Sequence, residues 1–90
     1  MYIEKTFTTQ DNYTVTCHKI VTLGKNNVFY YLNVNSYETV ADMESYENSR
    51  LDTYQTFNLD LVDGTQPVLP QLYNLLLNTP TFAGGTLIGG

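Results

Sequence analysis

Ninety residues with a net charge of −5 and one cysteine imply a single domain with no internal disulfide and no cysteine metal cluster. The four basic residues, Lys5, Lys19, Lys25 and Arg50, are scattered along the chain. That argues against a nucleic-acid partner, because phosphate neutralisation needs them clustered. No run approaches the ~18 apolar residues of a membrane span, and "MYIEKTFTTQ" lacks the basic start and apolar stretch of a secretory leader, so synthesis in the cytoplasm without membrane insertion is expected.

From the start the chain alternates. In "YIEKTFTT", Ile3 and Phe7 fall on one face and Glu4, Thr6 and Thr8 on the other. In "YTVTCHKIVTL", Tyr13, Val15, Cys17 and Val21 oppose Thr14, Thr16 and His18. In "NVFYYLNVNSY", Val28, Tyr30, Leu32 and Val34 oppose Phe29, Tyr31, Asn33, Asn35 and Tyr37. Period two with β-branched and aromatic residues marks half-buried strands. "QDN" and "GKNN" between them suit tight hairpins. Residues 2–36 therefore read as an antiparallel three-stranded meander with one face covered.

"SYETVADMESYENSRL" then spaces Tyr37, Val40, Met43 and Tyr46–Glu47 by threes and fours, with Thr39 and Asp42 as a capping pair. The spacing predicts a helix of about three turns. Its outer side carries Glu38, Asp42, Glu44, Glu47 and Asp52, five of the nine acids, against Arg50 alone. The ordinary reading is a solvated face, and the sharper one is an acidic patch for a basic partner. "TYQTFNLDL" supplies a fourth strand in which Phe57, Leu59 and Leu61 oppose Thr56, Asn58 and Asp60. After the Asp63-Gly64 turn, Pro67 suits the start of a second helix and Pro70 its first turn. From Val68 to Leu77 that helix is apolar nearly all round, more than one sheet face covers, which implies contact with another chain.

The expected fold class is α+β: an antiparallel three- to four-stranded sheet (meander, helix, strand) covered by a C-terminal apolar helix, with residues 1–79 as the domain and 80–90 as an extended arm. In "NTPTFAGGTLIGG" large apolar residues are set among glycines. Extended, residues 80–90 reach roughly 36–40 Å, enough to cross a body of this size. Burying Phe82, Leu87 and Ile88 gains roughly 5–9 kcal/mol, whereas ordering each backbone costs about 1–2 kcal/mol. Side-chain burial alone therefore does not order the arm, and backbone pairing along a sheet edge is needed as well. The expected partner contacts are Leu72, Tyr73 and Leu76 on the helix and Phe82, Leu87 and Ile88 on the arm.

No catalytic constellation is expected. Cys17 and His18 are adjacent on a strand, so they point to opposite faces and cannot act together. One His and one Cys do not make a metal site, and Asp60 with Asp63 is explained by a turn and a strand end. "GGTLIGG" has no lysine and no phosphate-binding context. Asn12-Tyr13-Thr14 is a sequon without a secretory signal. The chain is thus expected to be non-enzymatic, with no cofactor, no metal and no small-molecule substrate.

Charged residues are only 14% of the chain, and Thr, Asn and eight tyrosines carry its polarity. Such a surface loses less on desolvation than a charged one, and tyrosine is enriched where proteins meet, besides being a strand former. With "YYLNVNSY", "TYQTFNLDL" and "NTPTFAGGTLIGG", the chain resembles small bacteriophage virion structural proteins. The resemblance implies a capsid-decoration, neck, tail or baseplate component, made in the host cytoplasm and resident in the virion, binding other virion subunits as a homo-oligomer or mixed assembly. Two other readings stand beside it. One is a small acidic phage-encoded inhibitor or regulator that binds a basic protein. The other rests on the terminal Gly89-Gly90, which resembles the free diglycine of ubiquitin-like carriers of the β-grasp fold, although here three strands precede the first helix.

Overall fold

The computed structural model describes residues 1–89; Gly90, half of the diglycine on which the carrier resemblance rests, lies outside the described residues. In chain order the elements are β1 (Tyr2–Thr8), β2 (Thr14–Lys25), β3 (Phe29–Tyr37), α1 (Val40–Ser45), β4 (Leu51–Asn58), α2 (Val68–Leu76) and β5 (Thr86–Ile88), with a single 3-10 turn at Leu59–Leu61. The class is α+β. Its sheet has five antiparallel strands in the order β4-β3-β2-β1-β5, so a strand is added to the three or four expected.

Turn chemistry sets the hairpins. Asn12 takes a left-handed φ of 67° at the first, and Asn26 Oδ1 accepts from the Val28 and Phe29 amides at the second. Thr39 caps α1 by accepting from the Asp42 N–H at 3.1 Å. The helix is shorter than the spacing suggested: Tyr37 belongs to β3, and Tyr46 leaves the helix at φ 56°. Likewise β4 stops at Asn58, whose side chain accepts from Asp60 N–H and tips Leu59–Leu61 out of the strand.

Two layers cover the sheet from opposite sides. Ile3, Ile20, Leu32, Val34 and Phe57 enclose the main core with Leu72, Tyr73 and Leu76 of α2 and with Phe82. On the other face Cys17 and Tyr37, register partners, pack under Met43 of α1. One covered face was expected; two are present because alternation puts Cys17 and Ile20 on opposite sides and a helix meets each. β2 is therefore buried first at Val15 and Cys17, then at His18 and Ile20. Bulges break the register between Glu4 and Phe7 on β1 and between Ile20 and Thr22 on β2, reorienting side chains locally.

Where an extended arm was expected, the chain turns after α2 and comes back to its own sheet. Phe82 N–H and Ala83 N–H bond Thr79 C=O, and Gly84 adopts φ 87°. Thr86–Ile88 then pairs antiparallel with β1: Tyr2 with Ile88, Ile3 with Leu87, Glu4 with Thr86. The edge pairing that the entropy argument required is thus supplied in cis.

Candidate interaction surface

Each expected partner contact has a place inside the monomer. Leu72, Tyr73, Leu76 and Phe82 are at most 1% exposed and form the main core. Leu87 packs on that core, and Ile88 sits half-buried beside Tyr2. Their apolarity is accounted for by this packing without a second chain. Gly85 makes the return possible: a Cβ there would lie 2.7 Å from Ile3 Cγ2 and 3.2 Å from Glu4 carbonyl oxygen, so only glycine lets the backbone come this close to β1. On α2 the outward residues include Leu69, which is exposed.

Tyr73 is tied by its hydroxyl as well as its ring. Its Oη accepts the Ile20 N–H at 2.9 Å and donates to Met1 C=O at 3.2 Å. Ile20 is at the β2 bulge, so the hydroxyl takes up a backbone donor next to the break in the ladder. Burial pushes the Tyr73 phenol up, partly offset by the Ile20 hydrogen bond. Tyr37 contrasts with it: wholly buried under α1, its hydroxyl has no hydrogen-bond partner in the protein.

The titratable pair of the second strand is structural. His18 Nε2 lies 2.7 Å from Lys5 C=O, an acceptor only, so Nε2 carries the proton and donates. Nδ1 then accepts from Ser36 Oγ–H at 2.6 Å. The ring is stacked on Phe7 (centroids 5.0 Å, 3° between planes) and met edge-on by Phe82 at 5.2 Å. Burial lowers its pKa, outweighing the Lys5 carbonyl bond. Both ring nitrogens of His18 are thus committed to partners within the protein. Cys17 faces the opposite layer, and burial raises its thiol pKa, leaving it an unreactive core residue. Among the described residues no three His, Cys, Asp or Glu side chains converge on a metal position. Asp63 is held by the Thr65 amide and hydroxyl.

At one end of the sheet, Phe7, Asp11, Arg50 and Leu51 border a cleft of about 400 Å³. Its cation is occupied: Arg50 Nε bonds Glu38 Oε1 at 2.9 Å and its guanidinium lies 4.2 Å from the Tyr13 ring centroid. Small-molecule sites of this volume bring several convergent polar groups to the ligand; here the cation is held by Glu38, and Asp11 is the acid on the lining.

One surface left partly uncovered is the β3–β4 half of the face on which α1 packs. Register puts Tyr31 opposite Thr56, Asn33 opposite Tyr54 and Asn35 opposite Asp52 on that face, with Phe29 meeting Tyr31 edge-on at 6.5 Å. Asp52, Tyr54, Thr56 and Asn58 are exposed, Tyr54 at 61%. β4 is also the terminal strand, and its eight pairings with β3 run without a register shift. The other edge ends in the three-residue β5, a short strand of the kind that protects edges. β4 has no proline, lysine or arginine and one charge, Asp52. Sequence reasoning noticed the tyrosines but not this surface: alternation in "TYQTFNLDL" shows a strand, and nothing local shows that it is an edge.

Searches among protein families, curated proteins and solved structures found no match to the chain. No helix among the described residues is long and apolar enough to cross a membrane.

Proposed function

We propose that the chain is a non-enzymatic structural subunit of a larger protein assembly, of the virion kind its composition resembles, and that it docks through the open β3–β4 half-sheet. The observation that carries this reading is the uncharged patch of half-buried Tyr31 and Asn33 with exposed Tyr54 and Thr56, running to an unprotected edge strand. Rigid tyrosines with amide and hydroxyl neighbours supply contact area and adaptable hydrogen bonds at low entropic cost. The docking side differs from the one expected from sequence, because α2 and the C-terminal turn are consumed by the monomer's own core. The reading is tested by quantitative mass spectrometry of purified particles from the cells that produce the chain. A fixed copy number per particle is expected, and absence from the particles overturns it.

A second reading, a regulator with a basic protein partner, has one observation in its favour. Glu38 is paired with Arg50, but Glu44 and Glu47 are exposed with no cation in salt-bridge range among the described residues. Reversal of both charges abolishes binding on that reading and leaves oligomeric state unchanged; retained binding refutes it.

A further inference from the structure

We infer that the occupant of the β4 edge is a second copy of this chain, added antiparallel about a two-fold axis through Gln55, so that two five-stranded sheets become one. The inference rests on the reading above that the β4 side is the docking side.

The register follows from the backbone. Leu59 N–H bonds Val28 C=O, and in the β3–β4 register, where Phe29 faces Asn58, that makes Val28–Leu59 a hydrogen-bonded pair. Antiparallel ladders alternate such pairs with non-bonded ones. The odd positions of β4 therefore turn their N–H and C=O groups towards β3, and Asp52, Tyr54, Thr56 and Asn58 turn theirs outward. At the strand's start the Arg50 N–H also reaches Ser36 C=O, the carbonyl of the residue facing Leu51, which ends the regular edge there. The outward groups thus span positions 52 to 58.

A two-fold axis perpendicular to the sheet keeps each residue on its own face, so it passes through a residue position, not between two. An axis at Gln55 sets Tyr54 against Thr56 and Asp52 against Asn58 of the other copy, and matches all four outward residues of both chains. An axis at Tyr54 draws in the irregular Arg50, and one at Thr56 leaves Asp52 unmatched. The strand's one charge then meets a neutral Asn58, and no like charges are opposed. Continuous pairing extends the sheet without disturbing either helix layer.

Three variants test this by sedimentation velocity, with circular dichroism as the check on folding. Thr56→Pro removes an outward N–H that the monomer does not use, a change tolerated on edge strands, and is expected to leave the protein monomeric where wild type is dimeric. Asn58→Asp can still cap Asp60 and places acids opposite Asp52 twice, which is expected to weaken the dimer ~2- to 30-fold. Gln55 faces its own copy in a non-bonded pair, with Cα atoms ~4.5 Å apart, within disulfide reach. Gln55→Cys should therefore cross-link on oxidation, whereas Tyr54→Cys, roughly 8 Å from its copy, should not. A wild-type protein that stays monomeric at millimolar concentration overturns the proposal, as does a Thr56→Pro dimer of unchanged affinity or cross-linking at position 54 instead of 55. These outcomes are read on the isolated chain, and the assembly role is read from copy number in particles, so either idea can fail without the other.

Discussion

The same substitution at two buried tyrosines should cost stability at one and none at the other. Tyr73→Phe keeps the ring in the core but deletes the oxygen that accepts the Ile20 N–H and bonds Met1 C=O. The Ile20 amide is next to a bulge and its residue is only 9% exposed, so the orphaned donor is not freely rehydrated. An unsatisfied buried group costs about 1–3 kcal/mol. For a domain of this length that corresponds to a fall in Tm of about 4–8 °C per kcal/mol. Tyr37→Phe removes a hydroxyl that is buried without a partner in the protein, so the same deletion should be neutral or stabilise by about 1 kcal/mol. Urea unfolding of the two variants and wild type, fitted with a common m-value, gives both differences. If Tyr73→Phe matches wild type within about 0.3 kcal/mol, or if Tyr37→Phe loses as much as Tyr73→Phe, the hydrogen-bond reasoning fails.

Three further outcomes are expected. Phe82→Ala should cost about 3–5 kcal/mol, because the ring is fully buried against His18 in the main core; Leu69→Ala, at an exposed position of α2, should change stability by less than about 1 kcal/mol. Gly85→Ala should release β5 from β1, since its methyl meets Ile3 and two backbone carbonyls, and fast amide exchange at Thr86–Ile88 with the rest of the sheet protected is the readout. His18 gives a pH signature: its folded pKa is below the ordinary 6.5, so the unfolded chain binds the extra proton. Stability is full above that value and falls as pH drops from 6.5 towards the lowered folded pKa, by at most about 1.4 kcal/mol per pH unit. His18→Gln should flatten the urea midpoint across that window, and an unchanged slope counts against a neutral buried imidazole.

What was legible in the sequence is what depends on near neighbours. Alternation located β1, β2, β3 and most of β4, and Asn12 and Asn26 marked the hairpins. Thr39 with Asp42 marked the α1 cap. The opposition of Cys17 and His18 follows from strand geometry alone. Less was legible where two local rules compete. Asn58 ends β4 by bonding the backbone two residues on, although the apolar period continues through Leu61. Tyr37 fits a helical spacing but is held in β3 opposite Cys17.

The use of the C-terminal segment and the identity of the open surface depend on residues far apart in the chain. Local composition around Gly84 and Gly85 favours no strand, and β5 exists because Phe82 fits beside His18 and Gly85 passes Ile3 closely enough for Leu87 to pair with it. That one docking event closes the β1 edge and buries the anchors that otherwise suggest a partner. By itself the sequence determined an apolar budget larger than one sheet face and a polar surface of Tyr, Asn and Thr with few charges. Tertiary structure decided that the apolar residues of α2 and the C-terminal turn are used within the monomer and that the outward backbone groups of β4 stay unpaired in it. The physical reason is that a strand's pattern sets which side chains share a face, whereas strand order sets which backbone groups remain unpaired.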